Sequence, residues 1–152
     1  MSAGVYDDLI MDHIRNARNY RVVPDADRAE TGSNPLCGDE MTVYVKLDGG
    51  RIGELGFQCT CCGISMASAS MMTQMAGGRR VEEARELVRD ILAMLERAGA
   101  SSDGETSPER LAMIETVRKF PAREGCAALP WKTLERGLDA AQAAGAPGAH
   151  PT

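Results

Sequence analysis

The sequence predicts an α+β fold in which a small antiparallel three-stranded sheet packs against several helices. Met41, Val43, Val45 and Leu47 alternate with Thr42, Tyr44 and Lys46, the period of two that marks a strand with one buried face. Asp48-Gly49-Gly50 follows at once and turns the chain, so the next segment, Arg51 to Phe57, returns as a hairpin partner. Further on, Ile64, Ala67, Met71 and Met75, and then Val81, Ala84, Val88, Ile91 and Leu95, recur every three or four residues, the spacing of a helical stripe.

The elements follow in order. Val5 to Ala17 spaces Ile10 and Ile14 one helical turn apart, with Tyr6, Leu9 and His13 beside them and Asp7 and Asp8 suited to the first turn. A third, edge strand falls near Arg28 to Ser33. After the hairpin the texture changes, over Cys59 to Thr73, to small and sulfur-bearing residues, read as a buried helix that Gly77-Gly78 stops. The amphipathic helix from Val81 ends before Gly99, and Ala98 to Thr106 forms a surface linker. Ser107-Pro108 suits an N-cap and first turn, opening a helix with Leu111, Ile114 and Val117 inward. Trp131, after Pro130, begins the last helix. Residues 144–152 lack periodicity and form a flexible tail, so the folded domain spans residues 1–143.

The bulk properties narrow the function. At 152 residues the chain fits one domain with a substantial core. A net charge of −5 with scattered Lys and Arg excludes the basic stripe that tracks a phosphate backbone, so nucleic acid is not an expected partner. No apolar run approaches the roughly 20 residues that span a bilayer, and the sequence does not open on a charged n-region followed by an apolar h-region, so neither anchoring nor export is expected. Five cysteines, an odd count, are spaced more like metal ligands than like a paired disulfide framework, which fits a reducing cytoplasm.

Thiolates with a carboxylate suit zinc or iron, and four residues offer them. Cys37 and Asp39 stand in the Pro- and Gly-containing loop 34–39, which enters the strand at Met41. Cys62 stands where the hairpin meets the Ser-rich helix, and backbone N–H groups at a helix start stabilise a negatively charged sulfur. Cys126 follows more than sixty residues later, beside Arg123, and only folding could bring it to the others. His13 reads as a packed or partner-facing histidine, and Met66, Met71, Met72 and Met75 as core.

The words around these residues carry more information than the spacing. Asn34-Pro-Leu-Cys-Gly-Asp39, Ile64-Ser-Met-Ala-Ser-Ala-Ser-Met-Met-Thr73, Lys119-Phe-Pro-Ala-Arg-Glu-Gly-Cys126 and Leu129-Pro-Trp-Lys-Thr-Leu134, with Ile10-Met-Asp-His-Ile14 before Arg18-Asn19, resemble the SufU family within the wider IscU/NifU-like group. The resemblance spans about residues 5 to 137. It implies that Cys37, Asp39, Cys62 and Cys126 ligate a metal, and that Cys37 also receives persulfide sulfur. Arg123, three residues before the late cysteine, would then offset a site of formal charge about −2.

Two departures matter. IscU-like scaffolds carry a histidine immediately before the late cysteine, whereas Gly125 stands here, and the preceding segment is long; both features resemble the SufU side. Cys59 and Cys61 replace the glycines more usual in that turn, so the loop is either rebuilt, with Cys61 as ligand instead of Cys62, or supplied with two extra thiols. The distance to Ile64-Ser65 favours Cys62.

The resemblance therefore implies iron–sulfur cluster biogenesis. One reading is a zinc-bound sulfurtransferase, an activator of a PLP-dependent, SufS-like cysteine desulfurase, which passes sulfur from Cys37 to a downstream SUF scaffold or apo iron–sulfur protein. The other is a non-enzymatic scaffold that uses iron to assemble a 2Fe–2S cluster on the same ligands. A metal serving only as a fold staple and a dithiol oxidoreductase using Cys59 and Cys61 complete the alternatives.

Overall fold

A computed structural model describes residues 2–36, 38–97 and 108–145 of the chain. The sheet is antiparallel in the order β1 (Arg28–Asn34), β2 (Asp39–Asp48), β3 (Arg51–Thr60). Helix α1 (Ser2–Arg15) precedes it; α2 (Gly63–Ala76), α3 (Val81–Glu96), α4 (Pro108–Lys119) and α5 (Glu124–Gly145) follow, with one 3₁₀ turn at Pro121–Arg123.

The hairpin forms where the Asp-Gly-Gly turn requires it. Gly49 and Gly50 have φ of 59° and 85°, the two positive values of the turn that matches strand twist, and Asp48 pairs with Arg51 across it. Pairing continues from Val43↔Phe57 to Glu40↔Thr60, carrying β3 through Cys59. The helix expected to include Cys59 therefore starts only at Gly63, because β2 still offers strand partners as far as Glu40. The edge strand expected near Arg28 to Ser33 is β1, paired with β2 from Arg28↔Val45 to Asn34↔Asp39. On its outer side β3 is flanked by the chain leaving α1: the Phe57 N–H donates to the Asn19 carbonyl at 3.1 Å, and the Tyr20 and Phe57 rings meet edge to face at 5.1 Å.

One face of the sheet is buried, with Met41, Val43, Val45, Ile52, Leu55 and Phe57 all inside. Helix α5 crosses β1 and β2 so closely that a Cβ on Gly32 would stand 2.1 Å from Thr133 Oγ1. Trp131, Leu134 and Leu138 fill the space between this helix, the sheet and the remaining helices. Met71 and Met72 are core residues, and Met66 and Met75 pack against the core half-buried.

Two further boundaries differ from expectation. α1 starts at Ser2, which moves Asp7 and Asp8 beyond its first turn. α5 starts at Glu124, well before Trp131, with Pro130 inside it. A proline at that position removes the N–H that the Cys126 carbonyl would accept, and the Ser65 hydroxyl, 3.0 Å away, supplies the missing donor. The expected linker at Ala98 to Thr106, the Ser107 cap, the Leu111 side chain and the tail beyond Gly145 lie outside the described residues and side chains.

His13 is buried, with Nδ1 2.7 Å from Ser70 Oγ, which also accepts the Arg18 N–H at 2.8 Å. Burial, then the nearby Arg18 cation, lowers its pKa from 6.5, against smaller opposing effects of Asp12 and Glu109. The unfolded chain therefore binds a proton first on acidification. His13 adds stability above about pH 6.5, and that stability is lost as pH falls toward the lower folded-state pKa. In urea titrations between pH 7.5 and pH 5, the parent chain should lose more stability than His13→Gln; parallel pH curves would refute this.

Candidate metal centre

Three segments end at one place. Asp39 opens β2 after a turn in which the Leu36 N–H donates to Asn34 Oδ1 at 3.2 Å and Gly38 takes φ of 71°. Cys62 is the N-cap of α2, in extended conformation, with its sulfur accepting the Ser65 N–H at 3.5 Å. Cys126 lies in the first turn of α5 and is fully buried. Both cysteines thus stand at helix N-termini, where unpaired N–H groups and the macrodipole favour negative charge.

One ligand-capable atom from each of Asp39, Cys62 and Cys126 lies within 4.8 Å of the other two. A tetrahedral zinc ion with Zn–S bonds of about 2.3 Å needs its sulfurs about 3.8 Å apart, so side-chain adjustments of about an ångström would close the set. Two sulfurs and a carboxylate from separate elements are the donor chemistry that zinc and iron accept.

Ser65 organises this group. Its hydroxyl lies 2.8 Å from Asp39 Oδ2 and 3.0 Å from the Cys126 carbonyl, and its single proton serves these two acceptors in turn. The Cys62 N–H donates to Asp39 Oδ1 at 3.1 Å. Burial works against ionisation of Asp39, but the hydrogen bonds from Ser65, the Cys126 thiol, and the Cys62 N–H and thiol together outweigh it. The carboxyl consequently stays below its ordinary pKa of 3.8 and is a carboxylate at neutral pH.

Around the sulfurs, Arg123 Nη1 and Asn34 Nδ2 each lie 3.9 Å from Cys126 Sγ. Gly125 makes the second approach possible, because a Cβ there would stand 2.8 Å from Asn34 Nδ2. Cys62, Gly63, Ile64, Ile14, Phe120 and Arg123 line a surface cavity of about 290 Å³ that reaches the site, and Phe120 is half exposed.

Of the residues singled out in the sequence, Asp39, Cys62 and Cys126 come together with Arg123 beside them, while Cys37 lies outside the described residues. Cys61 stays out of the cluster. It is joined to Cys59 in a disulfide, so in this structure the two are a bonded pair rather than spare thiols. Ser65 and Asn34 were not singled out. Cys62-x-x-Ser65 has capping-box spacing, a signal available for the first; the second had none, since its role depends on a cysteine 92 residues away.

Comparison with known proteins identifies the family. A family described as the NifU-like N-terminal domain matches residues 5–127. The chain is 39% identical to the zinc-dependent sulfurtransferase SufU of Bacillus subtilis (strain 168), over 88% of this chain and 89% of that protein. It is 34% identical to the iron–sulfur cluster assembly scaffold protein IscU of Thermotoga maritima, over 88% of this chain and 92% of that one. A crystal structure from Fervidobacterium islandicum AW-1, described as an iron–sulfur cluster assembly scaffold for the SUF system, superposes with a TM-score of 0.73. It is 32% identical, covering 91% of this chain and 99% of its own. No described helix is long and apolar enough to cross a membrane. The three converging segments, the α+β topology and a family match over most of the length make one conclusion plain: the chain belongs to the NifU-like N-terminal domain family, which includes the SufU and IscU proteins of iron–sulfur cluster assembly.

Proposed function

We propose that this protein is a zinc-bound sulfur acceptor of cytoplasmic iron–sulfur cluster biogenesis, serving a cysteine desulfurase. The observation that carries this reading is the meeting of Asp39, Cys62 and Cys126 at two helix N-termini, in a chain similar to a zinc-dependent sulfurtransferase. Asp39, Cys62 and Cys126 would hold the ion, with Cys37 as fourth donor. Bound zinc would keep the sulfurs as thiolates. Arg123 and Ser65 balance and orient the donors from outside.

In the transfer itself, the Cys37 thiolate attacks the outer sulfur of the desulfurase's persulfide. The S–S bond in the desulfurase breaks, its cysteine leaves as thiolate, and a new S–S bond holds the sulfur on Cys37. Downstream acceptors of that sulfur would be a SUF scaffold or apo iron–sulfur proteins.

Alanine production by a desulfurase, measured with dithiothreitol present, should fall to its unstimulated level with Cys37→Ala and stay stimulated with Cys59→Ala. Equal loss in both would refute the assignment of Cys37. The similarity to IscU scaffolds favours a second reading, assembly of a 2Fe–2S cluster on the same residues. Against it stands Gly125, which leaves no imidazole beside Cys126 and whose place is crowded by Asn34. Anaerobic reconstitution decides between them: a stable visible chromophore passed to an apo-acceptor supports the scaffold, and colourless protein retaining zinc supports the acceptor.

A further inference from the structure

The sulfur that a persulfide delivers is formally at oxidation state zero, whereas a cluster needs sulfide, so two electrons must enter between acceptor and cluster. Cys59 and Cys61 could supply them. They form a disulfide with Cα atoms 5.5 Å apart, within the range such a bond allows, so they can exist as a dithiol or as a bonded pair. Cys61 immediately precedes Cys62 in the chain. The Cys62 N–H is hydrogen-bonded to Asp39, which follows Cys37 by two positions in sequence. The pair therefore sits on the segment that docks onto the start of β2, at the end of the sheet where the donors converge.

Access and anchorage point the same way. Cys59 and Cys61 are half-buried, and Cys59 lines an open cavity of about 310 Å³ together with Tyr20, Glu40, Gln58 and Thr60. The Tyr20 hydroxyl lies 3.1 Å from the Cys59 carbonyl and 3.3 Å from its N–H, fixing that residue at the end of β3.

We propose that Cys59 and Cys61 form a built-in dithiol reductant that converts the accepted sulfur to sulfide; this rests on the sulfur-acceptor reading above. In the reduced protein, the Cys61 thiolate takes the outer sulfur of the Cys37 persulfide. The S–S bond at Cys37 breaks, Cys37 leaves as thiolate, and an S–S bond forms at Cys61. The Cys59 thiolate then attacks the Cys61 sulfur and expels hydrosulfide. Two thiols are oxidised to the Cys59–Cys61 disulfide, and one sulfane sulfur gains two electrons as sulfide. An external dithiol reductant then resets the pair.

The test uses the full chain, reduced and then freed of reductant, with cysteine desulfurase and cysteine. The parent protein should release a burst of about one sulfide per chain, and its intact mass should show loss of two hydrogens rather than gain of sulfur. Cys59→Ser and Cys61→Ser should each cut the burst by about tenfold or more while their intact masses gain a sulfur atom. A parent protein that gains sulfur and releases none, or a burst that persists in either variant, would overturn the built-in reductant and leave the acceptor reading standing. A chain that gains no sulfur and releases no sulfide would overturn both.

Discussion

Cys126→Ser should yield a folded protein that no longer holds zinc, with metal per chain falling from about one to background in elemental analysis after purification. Serine is close in size, and its hydroxyl is not ionised at neutral pH, so the variant removes a donor with little change in volume. Packing should survive because Cys126 is fully buried beside Ser65 of α2 and Asn34 at the end of β1, and its carbonyl keeps the Ser65 hydroxyl whatever the side chain. Ser65→Ala provides the comparison. It leaves all donors present but removes the hydroxyl that orients Asp39, and loss of such a neighbour costs about 10–100-fold in affinity. Competition with a chromogenic chelator should rank parent, Ser65→Ala and Cys126→Ser in descending affinity. Retention of zinc by Cys126→Ser at parental strength would remove Cys126 from the site.

Trp131→Ala should be the most damaging single change to stability, at about 3–5 kcal/mol, out of a total that for domains of this kind is about 5–15 kcal/mol. The indole is completely buried, and its Nε1–H donates to Ser68 Oγ at 3.0 Å while that hydroxyl donates to the Ala127 carbonyl at 2.6 Å. Alanine opens a cavity and removes one of these hydrogen bonds. Trp131→Phe keeps most of the apolar volume and leaves Ser68 its donation to Ala127, so removing the N–H itself should cost about 1 kcal/mol. Urea denaturation of the two variants separates the terms. Similar midpoints for Ala and Phe would mean that the volume matters little and the hydrogen bond carries the effect.

Much of the fold was legible in the sequence because the relevant signals are local. The alternation at Met41 to Leu47, the Gly49-Gly50 turn and the stripe from Val81 to Leu95 each report on residues a few positions apart. The meeting of Asp39, Cys62 and Cys126 became legible through the words around them rather than through spacing. What escaped depends on distant partners. Pro130 reads as a helix boundary until a serine 61 residues upstream of Cys126 is found donating to the carbonyl that the proline orphans. Cys59 reads as part of a helix until Met41 is found opposite it in the sheet. The Cys59–Cys61 bond was masked by the cytoplasmic expectation, which made unpaired thiols the natural reading.

The hydroxyls along α2 have a mechanical consequence. Ser65, Ser68 and Ser70 each face a different partner: Asp39 with Cys126, Ala127 with Trp131, and His13 with Arg18. Apolar surfaces alone tolerate sliding, since one methyl serves nearly as well as the next. A displacement of this rod along its axis by a single residue would instead strand all three oxygens in a dry interior. The helix is thereby indexed like a key with three teeth, and methyl-for-methyl exchanges elsewhere in the interior can accumulate while the sulfur at its tip keeps its coordinates.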